Sequence, residues 1–526
     1  MMAAVCLAAL LPGLGHPVVS RVQELRVALG AQNMAQGGSW LVPSFRGEAR
    51  LRKPPLEYWI VAASLKLAGD PRSAFAARLP NALLAVLLTV VIYAGGARLV
   101  GRRRALLAAA AGTASSIFQA HGRLAETDVP LALLTMLSVL GLYAALHGPR
   151  ELRGWLAAGL FAGLGFMVKG PAALAIPLLT LAAFAALTPS ARPRLACRRP
   201  LAALLVFAAV ALPWYLLLVA LPGTREATLG AAALEMGALV EKGIHTNPWY
   251  YYLYQLPLAL LPWGLLLPFA VVDAARRARC EQNLRFLACW FGVSFLALSL
   301  LPTKQDHYML LLLPPSALLL GEYLGHAGGG RPSFHARLVR GYATVLLALL
   351  VPAVIALAAA PLVEPRVPPA AWGFAIVLAL VTAAGWLARR RNTQTGVVLA
   401  IWAAATLAMP AQIFLGRGFE RSASLVKELA HRAEPYAARA PNVFFFGHRK
   451  DIVDFYLGRR TERLTDLPSA LRELEAGSVV LVAQTDKEEM PDLSTCPAEV
   501  RFDETRHHLR CLLITVPRPV SEPTRR

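Results

Sequence analysis

The sequence predicts a mainly α-helical protein that crosses a membrane many times and carries a small α/β domain at its C-terminal end. Of the 526 residues, 56% are hydrophobic and 16% are charged, whereas a soluble domain carries about 25% charged residues. The apolar residues form blocks of about 20 residues separated by arginines, which is the pattern of helices that span a bilayer. This composition excludes disordered, collagen-like, disulfide-stabilised and cytosolic soluble proteins.

The positive charge of the chain is better explained by membrane topology than by nucleic-acid binding. The chain has 53 lysines and arginines against 32 acidic residues, which gives a net charge of +21. In membrane proteins, basic residues hold the short cytoplasmic loops in place. Because the sequence contains no basic and aromatic module of a nucleic-acid-binding fold, we expect no nucleic-acid partner.

Thirteen apolar segments are candidate membrane spans, and several are short for a bilayer that needs about 20 residues. The first begins at the initiator methionine and resembles a signal peptide, but it lacks the basic flank of one, so we interpret it as a membrane helix. In chain order the candidates are residues 1–15, 79–97, 105–120, 129–146, 154–168, 171–188, 200–221, 250–272, 286–301, 308–325, 341–363, 368–388 and 395–415.

The arginines divide the loops between these spans into two alternating sets. The loops of one set carry clusters such as residues 102–104, 192–199 and 389–391, whereas those of the other set hold about one basic residue each. The arginine-rich set is therefore predicted to be cytoplasmic. We expect a transmembrane domain over residues 1–416, with outer loops 16–78 and 222–249, and a soluble extracytoplasmic α/β domain over residues 417–526. In that domain we predict strands at 443–446, 478–483 and 510–516 and helices at 451–457 and 467–475.

Ionisable residues are rare inside the predicted spans and gather at their outer ends. Such groups are costly at membrane depth, so their position indicates function. Their shared location favours one cavity at the outer bilayer boundary over a transporter, which places its charged sites near the midplane. The residues are Glu24, Arg26, Lys53, Arg123, Asp128, Lys169, His245, Lys304, Asp306 and His307.

Several of these residues lie in dense local strings. The strings are WLVP at 40–43, RKPPLEYW at 52–59, RLAETDVP at 123–130, FMVKGP at 166–171, NPWYYY at 247–252 and KQDHY at 304–308. Together, over residues 20–325, the chain resembles the bacterial aminoarabinose lipid A transferase family, relatives of the protein O-mannosyltransferases with GT-C architecture. The resemblance implies an enzyme of the bacterial inner membrane that moves a sugar from an undecaprenyl-phosphate-like donor to an extracytoplasmic acceptor. Lipid A, another glycolipid, a glycan and a protein all remain possible acceptors.

The resemblance also implies which residues bind the donor phosphate. Lys169 and Lys53 match family lysines assigned to the carrier phosphate, and Arg26 and Arg52 are further cationic candidates. The alternative for each lysine is a side chain that anchors a helix end by reaching toward the interface. For Lys169 the adjacent Gly170-Pro171 break favours a functional role.

Sugar transfer requires a carboxylate near the reacting centre. The family places an Asp-Glu pair two residues before an arginine, and here Glu24 and Arg26 match while Gln23 replaces the first acid. An amide cannot act as a base, so Asp128 becomes the main catalytic candidate, together with Glu24. The alternative for Asp128 is an N-cap of the helix that follows, and both roles are compatible.

We expect the remaining polar residues to line the cavity without a tightly bound metal. Family members with a divalent metal use a Glu before the lysine of the Lys-Pro string and a later His, whereas this chain has Arg52 and Met236. His245 and His307 without a nearby acid are weak evidence for a metal, so no cofactor is predicted. The lining candidates are Arg123, His245, Lys304, His307 and Tyr308.

Two other interpretations remain open at the level of sequence. A catalytically silent relative is suggested by Gln23, Arg52 and Met236, which all depart from the family pattern. A flippase or transporter of lipid-linked sugar is the second alternative, and the scarcity of charge within the spans argues against it.

Overall fold

The computed structural model describes most of the chain, and every structural statement below concerns the described residues. They are residues 2–16, 18–237, 247–327, 333–363, 367–415, 422–485, 498–506 and 509–517.

The described elements are mainly helices. They are α1 (Met2–Leu10), α2 (Val22–Ala35), α3 (Leu56–Ala68), α4 (Ala74–Val100), α5 (Arg102–Thr113), α6 (Ser116–His121), α7 (Asp128–His147), α8 (Glu151–Lys169), α9 (Ala172–Leu187), α10 (Arg199–Ala220), α11 (Arg225–Gly237), α12 (Tyr251–Ala259), α13 (Leu267–Arg277), α14 (Gln282–Leu300), α15 (Leu313–Ala327), α16 (Phe334–Val363), α17 (Ala370–Arg390), α18 (Gln394–Leu415), α19 (Ser422–Ala437), α20 (Lys450–Leu457) and α21 (Leu467–Glu473). The strands are β1 (Ser44–Phe45), β2 (Glu48–Ala49), β3 (Val443–Gly447), β4 (Glu462–Leu464), β5 (Val479–Thr485), β6 (Glu499–Arg506) and β7 (Leu509–Thr515).

The predicted membrane spans correspond to helices of different lengths. Seven described helices, α4, α7, α8, α10, α14, α16 and α17, are long and apolar enough to cross a membrane, and the apolar helical segments Ala172–Leu187 and Gln394–Leu407 are shorter. Large side chains on α10 and α16, such as Leu205 and Ile355, are exposed, as expected of helices that face lipid rather than protein.

The remaining four predicted spans are short or interrupted. Residues 105–120 form α5 and α6, which are separated at Ser115, the N-cap of α6. Residues 250–272 contain α12, a 3-10 turn at Gly264–Leu266 and α13, because Pro262 and Pro268 cannot donate the backbone hydrogen bonds of a continuous helix. The first predicted span contains a helix of nine residues. Hydropathy identified these segments but could not locate their breaks.

The chain divides into two compact units. The first, here called the membrane unit, comprises Met1–Leu14, Arg50–Glu57 and Arg78–Leu415, and the second, here called the sheet unit, comprises Gly15–Ala49, Tyr58–Ala77 and Gly416–Arg526. Residues 15–49 and 58–77, most of which lie in the predicted outer loop 16–78, belong to the sheet unit. In the sheet unit, the buried side chain of Gln32 donates from Nε2 to the carbonyl oxygen of Phe455 at 2.8 Å. Such long-range contacts cannot be derived from local patterns.

The sheet unit is built around five strands in the order β4-β3-β5-β7-β6. Strand β3 pairs in parallel with β4 and β5, whereas β7 is antiparallel to both β5 and β6. The predicted strands match β3, β5 and β7, and the predicted helices match α20 and α21 within two residues. Strands β4 and β6 and helix α19 were not predicted. β6 is largely exposed and carries Arg and Glu residues, so it lacks an apolar strand pattern.

Candidate active site

Two neighbouring helices of the membrane unit, α7 and α8, bring the main candidate residues together. They pack through small residues: a Cβ atom added at Gly141 would lie 2.7 Å from the backbone nitrogen of Ala158. The hydroxyl of Ser138 donates to the carbonyl oxygen of Ala158 at 2.9 Å. Because the helices run in opposite directions, the start of α7 lies beside the end of α8.

Asp128 and Lys169 occupy these two helix ends and form a buried ion pair. The Nζ atom of Lys169 lies 2.5 Å from Oδ1 of Asp128, and the two side chains are 14% and 6% exposed. An acid at a helix start and a base at a helix end both interact favourably with the helix dipole. Helix α7 begins at Asp128, and its N-cap residue is Thr127. The carboxylate of Asp128 therefore binds Lys169. The alternative role, an N-cap of α7, is not observed, because Thr127 occupies that position.

His307 and Tyr308 lie next to this ion pair. The Nζ atom of Lys169 lies 5.1 Å from the centre of the Tyr308 ring, within the range of a cation–π contact. Burial lowers the pKa of His307 to about 4, the nearby carboxylate of Asp128 opposes this effect, and the positive charge of Lys169 adds to it. His307 is therefore neutral at pH 7.

A second buried pair, not predicted from the sequence, lies beside His307. The Nδ1 atom of His121 lies 2.9 Å from Oε2 of Glu126, and both side chains are less than 10% exposed. The rings of His121 and His307 are 6.4 Å apart between their centres. His121 and His307 are both close enough to Asp128 to act electrostatically on its carboxylate. The missed signal was the string HGRLAETD, which places a histidine, two acids and an arginine within eight residues.

A fixed turn between α6 and α7 holds this pair. The side-chain nitrogen of Asn81 donates to the carbonyl oxygens of Leu124 and Glu126 at 2.8 and 2.7 Å. Glu57 is fully buried near Asn81, and burial raises its pKa to about 8. Among the described residues, no hydrogen-bond partner lies at ordinary distance from either oxygen of Glu57 or from Oδ1 of Asn81, and the amide of Asn81 opposes the rise in the pKa of Glu57 only in part. A protonated Glu57 carboxyl satisfies this arrangement better than a carboxylate because it avoids a buried, unpaired charge.

Comparisons with known proteins place this geometry in a family context. Residues 52–217 match the family of dolichyl-phosphate-mannose-protein mannosyltransferases. The chain is 28% identical, over 74% of its length and 70% of the relative's, to an undecaprenyl phosphate-alpha-4-amino-4-deoxy-L-arabinose arabinosyl transferase of Pseudomonas fluorescens. It is 30% identical to one from Proteus mirabilis, over 69% of this chain and 65% of the relative. The crystal structure of ArnT from Cupriavidus metallidurans bound to undecaprenyl phosphate has a TM-score of 0.75, at 18% identity, over 98% of both chains.

The chain has a GT-C glycosyltransferase fold. The family resemblance, the fold class and the enzyme class that the sequence predicted are confirmed by these relatives. The roles of individual residues are not tested by the comparisons and stay predictions.

Two residues that were predicted to line the cavity, Arg123 and Lys304, donate hydrogen bonds to backbone carbonyl oxygens. The guanidinium of Arg123 donates to the carbonyl oxygens of Ala9 and Pro12 at 3.0 and 2.8 Å. Burial, together with the charge of Arg78, lowers the pKa of Arg123 to about 10, so it stays charged at pH 7. The Nζ atom of Lys304 donates to the carbonyl oxygens of Leu301 and Asn247. Both side chains are almost completely buried, and their cavity-lining role stays a prediction.

The other predicted residues are distributed over both units. Lys53 is half-buried and Arg52 is exposed in the membrane unit. Glu24, which is buried, and Arg26 lie on α2 of the sheet unit. His245 lies outside the described residues.

The described residues of this GT-C fold do not fit a divalent metal. Within the ranges that the structure describes, no group of three or more His, Cys, Asp or Glu side chains could hold a metal ion. His121 is already engaged with Glu126 through Nδ1, and Lys169 compensates the charge of Asp128.

Proposed function

We propose that the chain transfers a sugar from a polyprenyl-phosphate donor to an acceptor on the extracytoplasmic side of the bacterial inner membrane. The observation that carries the proposal is the Lys169–Asp128 pair, a cation and a carboxylate held together at the ends of two membrane helices. A lipid-linked donor keeps its tail in hydrocarbon and its phosphate at the interface, so the enzyme needs a cation at that depth. The arabinosyl transferases and the ArnT structure support the same donor class.

In the proposed reaction, an oxygen of the acceptor attacks the anomeric carbon of the sugar. The bond between that carbon and the phosphate oxygen breaks, and its electron pair leaves with the polyprenyl phosphate. Lys169 is proposed to stabilise the negative charge on the departing phosphate. Lys53 and Arg52, in the membrane unit, are further candidates for the phosphate.

Asp128 is proposed to act at the reacting centre. Its carboxylate orients the ammonium of Lys169 and stabilises positive charge that develops on the sugar. Glu24 and Arg26 belong to the sheet unit, so their proposed roles near the sugar and phosphate rest on the family resemblance alone.

The proposed location follows from the arginine distribution. The arginine-rich loops are assigned to the cytoplasm, so α7 begins and α8 ends at the opposite side of the membrane. The sheet unit is then extracytoplasmic, as is the acceptor, which is a glycolipid such as lipid A, another glycan or a protein.

The proposal is tested with the purified chain in lipid nanodiscs and undecaprenyl-phosphate-linked aminoarabinose, the donor named for the relatives. Release of undecaprenyl phosphate and labelling of lipid A are followed by mass spectrometry. Asp128→Asn and Lys169→Ala should each lower the rate by about 100-fold or more while the protein still inserts in the membrane. Full activity in either variant contradicts the assignment.

The departure at Gln23 supports a second candidate, a catalytically silent relative. In that case the wild-type chain binds undecaprenyl phosphate but releases none from the donor. Gln23→Asp would then restore turnover. If the wild type is active and Gln23→Asp changes little, the silent candidate is excluded.

A further inference from the structure

We infer that His121 is the general base of the transfer reaction, held in place by Glu126, and that the acceptor group is a hydroxyl. This inference rests on the proposed function and adds the chemical class of the acceptor. The geometry that carries it is the buried contact of 2.9 Å between Nδ1 of His121 and Oε2 of Glu126.

Glu126 determines which nitrogen of His121 is able to accept a proton. Its carboxylate can only accept a hydrogen bond, so the proton of the neutral imidazole sits on Nδ1. The lone pair is then on Nε2, which makes no hydrogen bond within the described part of the chain. A carboxylate behind an imidazole also stabilises the imidazolium that forms when the base takes a proton. Glu126 is thus a positioning residue.

The turn that carries Glu126 is itself fixed. Its backbone nitrogen donates to the carbonyl oxygen of Leu124 at 2.9 Å, and its carbonyl oxygen accepts from Asn81 at 2.7 Å. The backbone of Glu126 is therefore fixed, and its carboxylate contacts the imidazole from this turn. A pre-arranged pair of this kind is expected of a catalytic base.

The other groups near the ion pair are poorer bases. The charge of Asp128 is compensated by Lys169 at 2.5 Å. His307 has a pKa near 4, and within the described residues no carboxylate contacts its ring at hydrogen-bond distance. Among the described residues, Glu126 on its own turn, Asp128 on α7 and His307 before α15 interact with His121, and Lys169 on α8 pairs with Asp128.

A base of this kind is needed only for a hydroxyl acceptor. A phosphate monoester is already ionised at pH 7 and attacks without losing a proton, whereas an alcohol must lose one as it attacks. In the inferred step, Nε2 of His121 takes the hydroxyl proton while the oxygen bonds to the anomeric carbon. The carbon–phosphate oxygen bond breaks, the electron pair leaves with the polyprenyl phosphate, and the imidazolium later returns its proton to water.

The test uses the full chain in nanodiscs with undecaprenyl-phosphate-linked aminoarabinose and a matched pair of acceptors, lipid A and dephosphorylated lipid A. Water serves as a third hydroxyl acceptor through slow donor hydrolysis. We expect the sugar on a hydroxyl in both lipids, and a decrease in kcat of about 100-fold or more in His121→Gln. The dissociation constant of undecaprenyl phosphate, measured separately, should change less than about twofold because the donor site is intact.

Two further variants test the role of Glu126 and provide a matched histidine control. Glu126→Gln retains the histidine and should lower kcat about tenfold or more, again without loss of undecaprenyl phosphate binding. His335→Gln removes a histidine that contacts Tyr323 and should keep the wild-type rate. The inference is overturned if the sugar is found only on phosphate, or if His121→Gln is as active as His335→Gln. A wild type that neither binds the carrier nor releases it from the donor overturns the proposed function instead.

Discussion

Lys169 and Asp128 are 41 residues apart in the sequence, yet their side chains form an ion pair of 2.5 Å that is almost excluded from solvent. The pair exists because α7 and α8 pack closely in opposite directions and place one residue at the start of a helix beside the other at the end.

Lys169 and Asp128 should make contributions to the free energy of unfolding that depend on each other. Removing one partner by Lys169→Met leaves a buried, uncompensated carboxylate and should lower the free energy of unfolding by about 3–5 kcal/mol. Adding Asp128→Asn should recover part of this loss. A double-mutant cycle from denaturant unfolding in detergent measures the coupling. The exposed Arg432–Glu428 pair is the control and should couple by about 0.5 kcal/mol or less; equal coupling in both pairs would be contrary to the prediction.

A side chain introduced at Gly154 should disrupt the close packing of α7 and α8. A Cβ atom there would overlap the backbone nitrogen of Ala145, so Gly154→Val should separate the helices and lower stability by about 3 kcal/mol. The loss of the Lys169–Asp128 contact should lower sugar transfer as well. Gly373→Ala on α17 is the control, because no atom lies within 4 Å of the added Cβ. A fully active Gly154→Val protein would argue against this account.

Arg123 should stabilise the N-terminal segment. Arg123→Met removes both donors to Ala9 and Pro12, and each buried carbonyl left without a partner costs about 1–3 kcal/mol. Arg123→Lys retains the positive charge and can still donate to one of the two carbonyl oxygens, so it should destabilise the segment less. Hydrogen exchange over residues 2–14 measures the release of this segment. Unchanged exchange in Arg123→Met would show that these bonds contribute little.

Glu57 should make stability depend on pH in the direction opposite to an ordinary carboxylate. Burial raises the pKa of Glu57 in the folded state from 4.5 to about 8. Its contribution to the free energy of unfolding is therefore fully present below pH 4.5 and is lost as the pH rises through 8, because the buried carboxyl must then ionise. Between pH 5 and 8.5 the free energy of unfolding should fall by roughly 4 kcal/mol. Thermal unfolding across this range should show that Glu57→Gln flattens the dependence. Asp70→Asn, at an exposed acid, is the control and should behave as wild type.

The sequence alone determined the fold class, the approximate spans and most of the C-terminal strands. Hydropathy over about 20 residues is a local property set by bilayer thickness, and strand alternation is local as well. The clustering of polar residues at span ends, and the strings that contain Lys169 and Asp128, were also visible because such residues are costly elsewhere in a membrane.

Only the tertiary structure decided which of these residues meet. It paired Lys169 with Asp128 and His121 with Glu126, and it directed Arg123 and Lys304 to backbone carbonyls. It also grouped residues 15–49 and 58–77 with the C-terminal sheet. The physical reason is that contacts between distant segments depend on how helices pack, through small residues such as Gly141 and Gly154, and local hydropathy carries no information about that packing.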